Sequence, residues 1–313
     1  MRAAALVLVL IASLAAVPLL AGAGTIYFIT LILVWGIFAI SFDLVFGLTG
    51  LLSFGHAAFL GTGAFVYAFI MLAMPDQFLL AILGAIAAAG LLAFLSGALA
   101  LRLSGIYLSL TTLAIGELVF YAASSPMRAL TGGEDGLAGV PRPTLLGHNF
   151  SDDTSFYFLV LFVFTLIVTA VAILRESPFG KVLNGIRLNE IRSEQVGFNV
   201  RLFKIIIFVI SGALSGLAGA LLASLIMYVN PQSLHWTTSG DVVIMTLLGG
   251  RGTLLGPVIG VAAYEVLKEV ASAYTVHWYG ILGIIIIFMT IYMPTGIRGA
   301  LDVPIRWFKG QRR

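Results

Sequence analysis

The sequence predicts an all-α, polytopic membrane protein, a bundle of about ten transmembrane helices (eight at the fewest) with both termini cytoplasmic. Three observations carry this reading. The 313 residues are 60% hydrophobic and only 10% charged, where a soluble domain carries roughly 25% charged residues, so the apolar surplus needs a bilayer as its solvent. The apolar residues gather into runs near the ~20 residues that a helix needs to cross the hydrocarbon core. Arg2, Asp43, Asp76 and Arg102 are the only charged residues in the first 102. The whole of 1–313 reads as one transmembrane domain with two long loops, at 123–154 and 175–204.

The spans follow in order as 3–22, 25–47, 50–74, 77–101, 103–122, 155–174, 203–228, 238–250, 253–272 and 277–294. The first reads as a retained helix and not a secretory signal, because its apolar run is long. The eighth is short. It reads as a half-span or re-entrant piece, tolerated only where protein or water covers its backbone. Ten crossings place both termini on one side. If that side is the cytoplasm, all but Arg128, Arg142 and Lys268 of the 17 Lys and Arg lie inside, as the positive-inside rule asks. The outer loop 123–154 is then acidic by contrast, with Glu134, Asp135, Asp152 and Asp153 beside the turn-forming run TGGEDG.

The longest polar stretch is Arg175–Lys204, with Arg175, Lys181, Arg187, Arg192, Arg201 and Lys204 between two spans. Ser177-Pro178 is a helix start, Ser as cap and Pro in the first turn. Gly180 to Gly197 then reads as one surface helix carrying Arg187, Glu190, Arg192 and Glu194, with the two glutamates four apart on one face. Such a helix suits docking to a cytosolic protein, or equally a solvated connection held near anionic lipid.

Four acids fall in or near spans. An ionised acid at the bilayer centre costs about 2.5–3.5 kcal/mol on insertion scales, so it turns toward the bundle interior or water. Asp43 lies near the inner end of its span, and Glu117 lies deeper, after a Thr pair. With His56 they are the candidates for a translocation path. Asp241 reads as the cap of the eighth helix, and Glu265 as a structural partner of Lys268. Gly212 and Gly216 form GxxxG beside Ser211-Ser215-Gly219, a pattern for close helix approach in lipid. Gly249, Gly250, Gly252 and Gly256 are further candidates for close helix packing.

Catalytic and nucleotide motifs are missing from the sequence. It has no Cys, no HExxH pair, no GxSxG and no Walker A sequence. The four His are scattered, which speaks against a metal site. The net charge of +3 sits in loops and reports topology, not nucleic-acid binding. The chain reads as a transporter component that is not itself an enzyme and binds no cofactor. Its energy then comes from a partner or an ion gradient.

Six segments in order resemble a known family: GLTGLLSFGHAAFLGTGAF (47–65), RLSGIYLSLTTLAIGE (102–117), TGGEDGL (131–137), SPFGKVLNGIRLNEIRSEQVGFNV (177–200), SGALSGLAGALLA (211–223) and LLGGRGTLLGPVIG (247–260). Together they look like the M-type permease of branched-chain amino acid ABC importers, over about residues 30–300. The resemblance implies an inner-membrane subunit working with an H-type permease, two cytosolic ATPase subunits that use the ATP, and a periplasmic binding protein. It implies that the helix within Ser177–Val200 is the coupling helix seated on an ATPase. The broader importer pattern Glu-Ala-Ala…Gly is altered here to Glu190-Ile191-Arg192…Gly197, without the alanines and with the spacing changed by one. Permeases for urea and short amides have similar sequences and stand as an alternative. An ion-coupled transporter using Asp43 or Glu117 is the other.

Overall fold

The computed structural model describes residues 14–19, 21–145, 148–275, 277, 279–281, 283–285, 287 and 296–297. It is a helical bundle, as the sequence predicts. Six described helices are long and apolar enough to cross a membrane: α1 (Ala23–Thr49), α2 (His56–Ala73), α3 (Phe78–Ala100), α4 (Ile106–Ser124), α6 (Asp153–Glu176) and α9 (Val200–Ile226). Between them lie α5 (Arg128–Thr131), α7 (Pro178–Leu188) and α8 (Glu190–Gln195). The chain continues with α10 (Trp236–Gly249) and α11 (Gly256–Tyr274). Of the expected first span, residues 14–19 are helical. Of the tenth, 279–281, 283–285 and 287 are helical. The remainder of both lies outside the described residues.

One expected element differs and one unusual element is confirmed. The third span begins at His56, not at position 50. Gly50 takes the left-handed conformation (φ 76) and ends α1, and 51–55 then runs as a non-helical strip along α4. The strip's backbone is satisfied by α4 side chains, since Ser109 Oγ donates to the Leu52 carbonyl (2.8 Å) and the Phe54 N–H donates to Thr112 Oγ1 (3.2 Å). This is how irregular backbone survives among membrane helices. The eighth element is the short piece expected. Its 14 residues span about 21 Å at 1.5 Å per residue, less than the ~30 Å hydrocarbon core.

Helix α9 is the centre of packing, and its two small-residue stripes serve different neighbours. A Cβ on Gly212 or Gly216 would strike Ala93 or Ala89 of α3. The adjacent stripe faces α1 and α2: Ser215 Oγ lies 2.8 Å from Ser41 Oγ, Ser211 Oγ donates to the Ser41 carbonyl, and a Cβ on Gly219 would strike the Leu60 carbonyl. Close approach here is carried by backbone and hydroxyl contact, the expected glue where lipid removes the hydrophobic drive between helices.

Contacts separate the two ends of the bundle. At one end Arg175 meets Asp43, Arg187 donates to the Gly47 carbonyl and Arg201 to the Ala98 carbonyl. At the other, Thr144 meets Asp76, and β1 (Leu137–Ala138) pairs antiparallel with β4 (Tyr228–Val229). A small hairpin of β2 (Thr144–Leu145) and β3 (His148–Asn149) sits in the same outer loop. The basic loop and the acidic loop thus occupy opposite ends, as the charge distribution requires.

Candidate functional site

The basic loop folds into two helices and not one. Ser177 caps α7, its Oγ accepting from the Gly180 N–H (3.2 Å), with Pro178 in the first turn. Gly180 is required there, because a Cβ would strike the Leu174 and Arg175 carbonyls. The continuous helix expected over Gly180–Gly197 breaks at Asn189, which is extended and caps α8 by accepting from the Arg192 N–H (2.9 Å). Gly197 ends the unit at φ 101. Leu183 and Ile186 are buried beneath α7.

The charges of this loop are divided. Arg187 reaches back to the Gly47 carbonyl at the end of α1, and Glu190 pairs with the buried Lys204 of α9. These two expected docking residues therefore tie the loop to its own bundle. Arg192 and Glu194 are exposed. So are apolar residues: Leu188 at 81%, Ile191 at 69% and Val196 at 71%. Apolar groups held outward in this way suit a contact with another protein or with the membrane surface.

Beneath α7 lies Asp43, 2% exposed. Its Oδ2 accepts from Arg175 (2.7 Å) and its Oδ1 from the Gly252 N–H (2.8 Å). Gly252 has φ 73 and packs on the Arg187 guanidinium and the Gly47 backbone. Three segments meet at one carboxylate: the end of α1, the root of the basic loop, and the α10–α11 turn. That turn is tight because Gly249 sits against the backbone of Gly256 and Gly260, leaving no room for a side chain, while Gly250 takes φ 110.

The other end of α10 reaches the middle of α4 and the start of α2. The Trp236 N–H donates to Glu117 Oε1 (3.0 Å), and Ser239 Oγ accepts from the Ala57 N–H in the first turn of α2 (2.8 Å). Glu117 is the twelfth of 19 residues in α4, about 17 Å along the axis from Ile106 at 1.5 Å per residue. It supplies the acidic cap expected of Asp241, and an acid is favoured at that helix end. Asp241 instead accepts from the Tyr264 hydroxyl of α11 (2.7 Å). His235 adds a second cap, its Nδ1 accepting from the Thr237 N–H (3.4 Å). His56 is fully buried, with Nε2 2.8 Å from Ser211 Oγ and its ring edge-on to Phe42, Phe59 and Phe208. Glu265 lies 3.6 Å from Lys268, as expected.

Of the three path candidates, Asp43 and His56 are sealed in packing, and Glu117 is 32% exposed. Sequence reasoning missed Arg175 as Asp43's partner, Ser239 as a tie between α2 and α10, and the His235–Trp236 end of α10. A buried acid demands a counter-charge, and the nearest basic loop is where that signal lay.

Residues 24–290 match the family described as "Branched-chain amino acid transport system / permease component". The chain is 30% identical over 305 residues to the high-affinity branched-chain amino acid transport system permease protein LivM of Escherichia coli (strain K12), covering 90% of this chain and 71% of that one. It is 27% identical over 321 residues to LivM of Salmonella typhimurium (strain LT2), covering 95% and 75%. To the permease protein LivH of Escherichia coli (strain K12) it is 25% identical over 298 residues, covering 88% and 94%. No solved structure matches the chain.

Proposed function

The chain belongs to the branched-chain amino acid transport system permease family, and from that premise we propose that it is the membrane subunit of an ATP-driven importer for branched-chain amino acids. It pairs with an H-type permease in the bacterial inner membrane, receives substrate from a periplasmic binding protein, and draws energy from two cytosolic ATPase subunits. It binds no cofactor itself, and the ATP is bound and hydrolysed by its partners.

The observation that carries this reading is the build of α7 and α8: apolar Leu188, Ile191 and Val196 face outward while the loop is anchored inward through Arg175, Arg187 and Glu190. A surface that only connected two spans would not need both. Displacement of α7–α8 by a closing ATPase reaches α1 and the α10–α11 turn through the Arg175–Asp43–Gly252 cluster. Helix α10 then carries it to its other end, where its first turn touches α4 at Glu117 and α2 at Ala57. The path between the two permeases opens to one side or the other as these helices shift.

Affinity purification of the tagged chain from membranes in mild detergent tests the proposal. A second permease and two ATPase subunits are expected to co-purify. The double variant Leu188→Ser/Ile191→Ser is expected to keep the permease and lose the ATPases. Recovery of a homo-oligomer without any ATPase overturns the reading.

A further inference from the structure

Glu117 sits where the exposed face of α4 meets the first turn of α10. Leu108, Ser109, Thr112, Gly116 and Ala123 are buried on one side of the helix. Ile106, Leu110 and Tyr121 are exposed, and at 100° per residue Glu117 falls among them, on the same side. An acid on a lipid-facing stripe at this depth is strongly disfavoured, whereas one that lines a pathway is the usual case. Among the described residues Oε1 accepts the Trp236 N–H, while Oε2 makes no hydrogen bond and lies 3.9 Å from His235 Nε2, an ion-pair contact only when that imidazole is protonated. Around it stand Tyr121, one turn further along α4, and the exposed indole of Trp236, with the ring of Phe120 against His235.

We propose that Glu117 holds the ammonium group of the amino acid in transit, through the oxygen that the α10 cap leaves open; this deepens the transport reading and rests on it. A branched-chain amino acid is a zwitterion with an aliphatic tail. In a low-dielectric path its ammonium needs a carboxylate, and charge-assisted hydrogen bonds are the strong ones. The aromatic rings give a cation a second favourable contact, while Leu110 on the same face suits the tail. The site therefore selects primary ammonium compounds over neutral ones of the same size.

The test uses the complete importer in proteoliposomes, with binding protein and radiolabelled leucine. Glu117→Gln keeps an acceptor for the Trp236 N–H and removes the charge. It is expected to lower uptake by about tenfold or more, the worth of one charge-assisted contact, with the complex assembled and hydrolysing ATP. A structural cap alone would leave uptake unchanged in this variant, and that result overturns the proposal. Because the chain has no Cys, Glu117→Cys offers a second measurement on the assembled complex. An anionic thiosulfonate reagent is expected to raise uptake by this variant and a cationic one to leave it low; equal responses overturn the assignment. A wild-type importer that moves no zwitterion at all would instead remove the transport reading itself.

Discussion

Two acids within the membrane helices, Asp43 and Glu117, have the same chemistry and opposite settings. Asp43 is 2% exposed, and each of its oxygens is engaged, one by Arg175 from 132 residues away and one by the Gly252 N–H from 209 away. Glu117 is 32% exposed; among the described residues one oxygen is hydrogen-bonded, to the first N–H of a short helix, and the other lies 3.9 Å from His235. The first carboxylate ties together segments that already pack against one another. The second completes a helix end and keeps half its capacity facing the open side of α4. Burial and the count of occupied lone pairs, not charge or depth alone, separate a structural acid from one available to a passing ligand.

The largest effect expected from breaking this contrast is at Asp43. Asp43→Asn keeps an acceptor for the Gly252 N–H but removes the carboxylate charge that pairs with the largely buried Arg175 guanidinium, 12% exposed. Removing one partner of a buried pair costs about 3–5 kcal/mol. The purified complex is expected to melt at a clearly lower temperature in detergent and to lose ATPase-coupled uptake with it. A melting midpoint equal to wild type would show that Arg175 finds another partner and that the three-segment junction is not held by Asp43.

An intermediate loss is expected at Ser239, where the contact is neutral. Its hydroxyl satisfies the Ala57 N–H, one of the donors that the start of α2 leaves without an intrahelical partner. Ser239→Ala orphans that buried donor, at a cost of about 1–3 kcal/mol. The same melt, run beside Asp43→Asn, sharpens the comparison. If Ser239→Ala costs as much as Asp43→Asn, the α4-facing end of α10 is gripped as hard as the end beside the basic loop, and the two regions differ less than their charges suggest.

The sequence showed the two acids as equals because charge inside an apolar run is all that local reading sees. What distinguishes them comes from far along the chain: Arg175 and Gly252 reach Asp43 only once the bundle closes. The same holds for Asp241, which a local rule made the cap of α10, while the fold brings Glu117 from α4 to that position and turns Asp241 to Tyr264. Six of the ten expected spans, the placing of the basic and acidic loops at opposite ends and the Ser177-Pro178 start of α7 were legible, because hydropathy, positive charge and capping act locally. The late start of α2 was hidden by apolar Leu51, Leu52 and Phe54, with Gly50 and Gly55 as the slight cue. The break at Asn189 was open to reading, since Asn followed by Glu is itself a helix-start pattern.

The smallest stability effect is expected where the transport effect is large. Glu117→Gln retains the carbonyl oxygen that accepts from Trp236, buries no new group, and gives up only the 3.9 Å contact with His235, an ion pair only when that imidazole is protonated. Its melting midpoint is expected within about 0.5 kcal/mol of wild type, the range of substitutions that disturb no packed contact. Asp43→Asn and Glu117→Gln make the same change, an amide for a carboxylate, and thus isolate setting from chemistry. One should cost stability and carry function down with it; the other should cost function at constant stability. A Glu117→Gln complex that melts as early as Asp43→Asn would show that the α10 cap depends on the charge and not only on the acceptor, and would make Glu117 a structural acid of the same kind as Asp43.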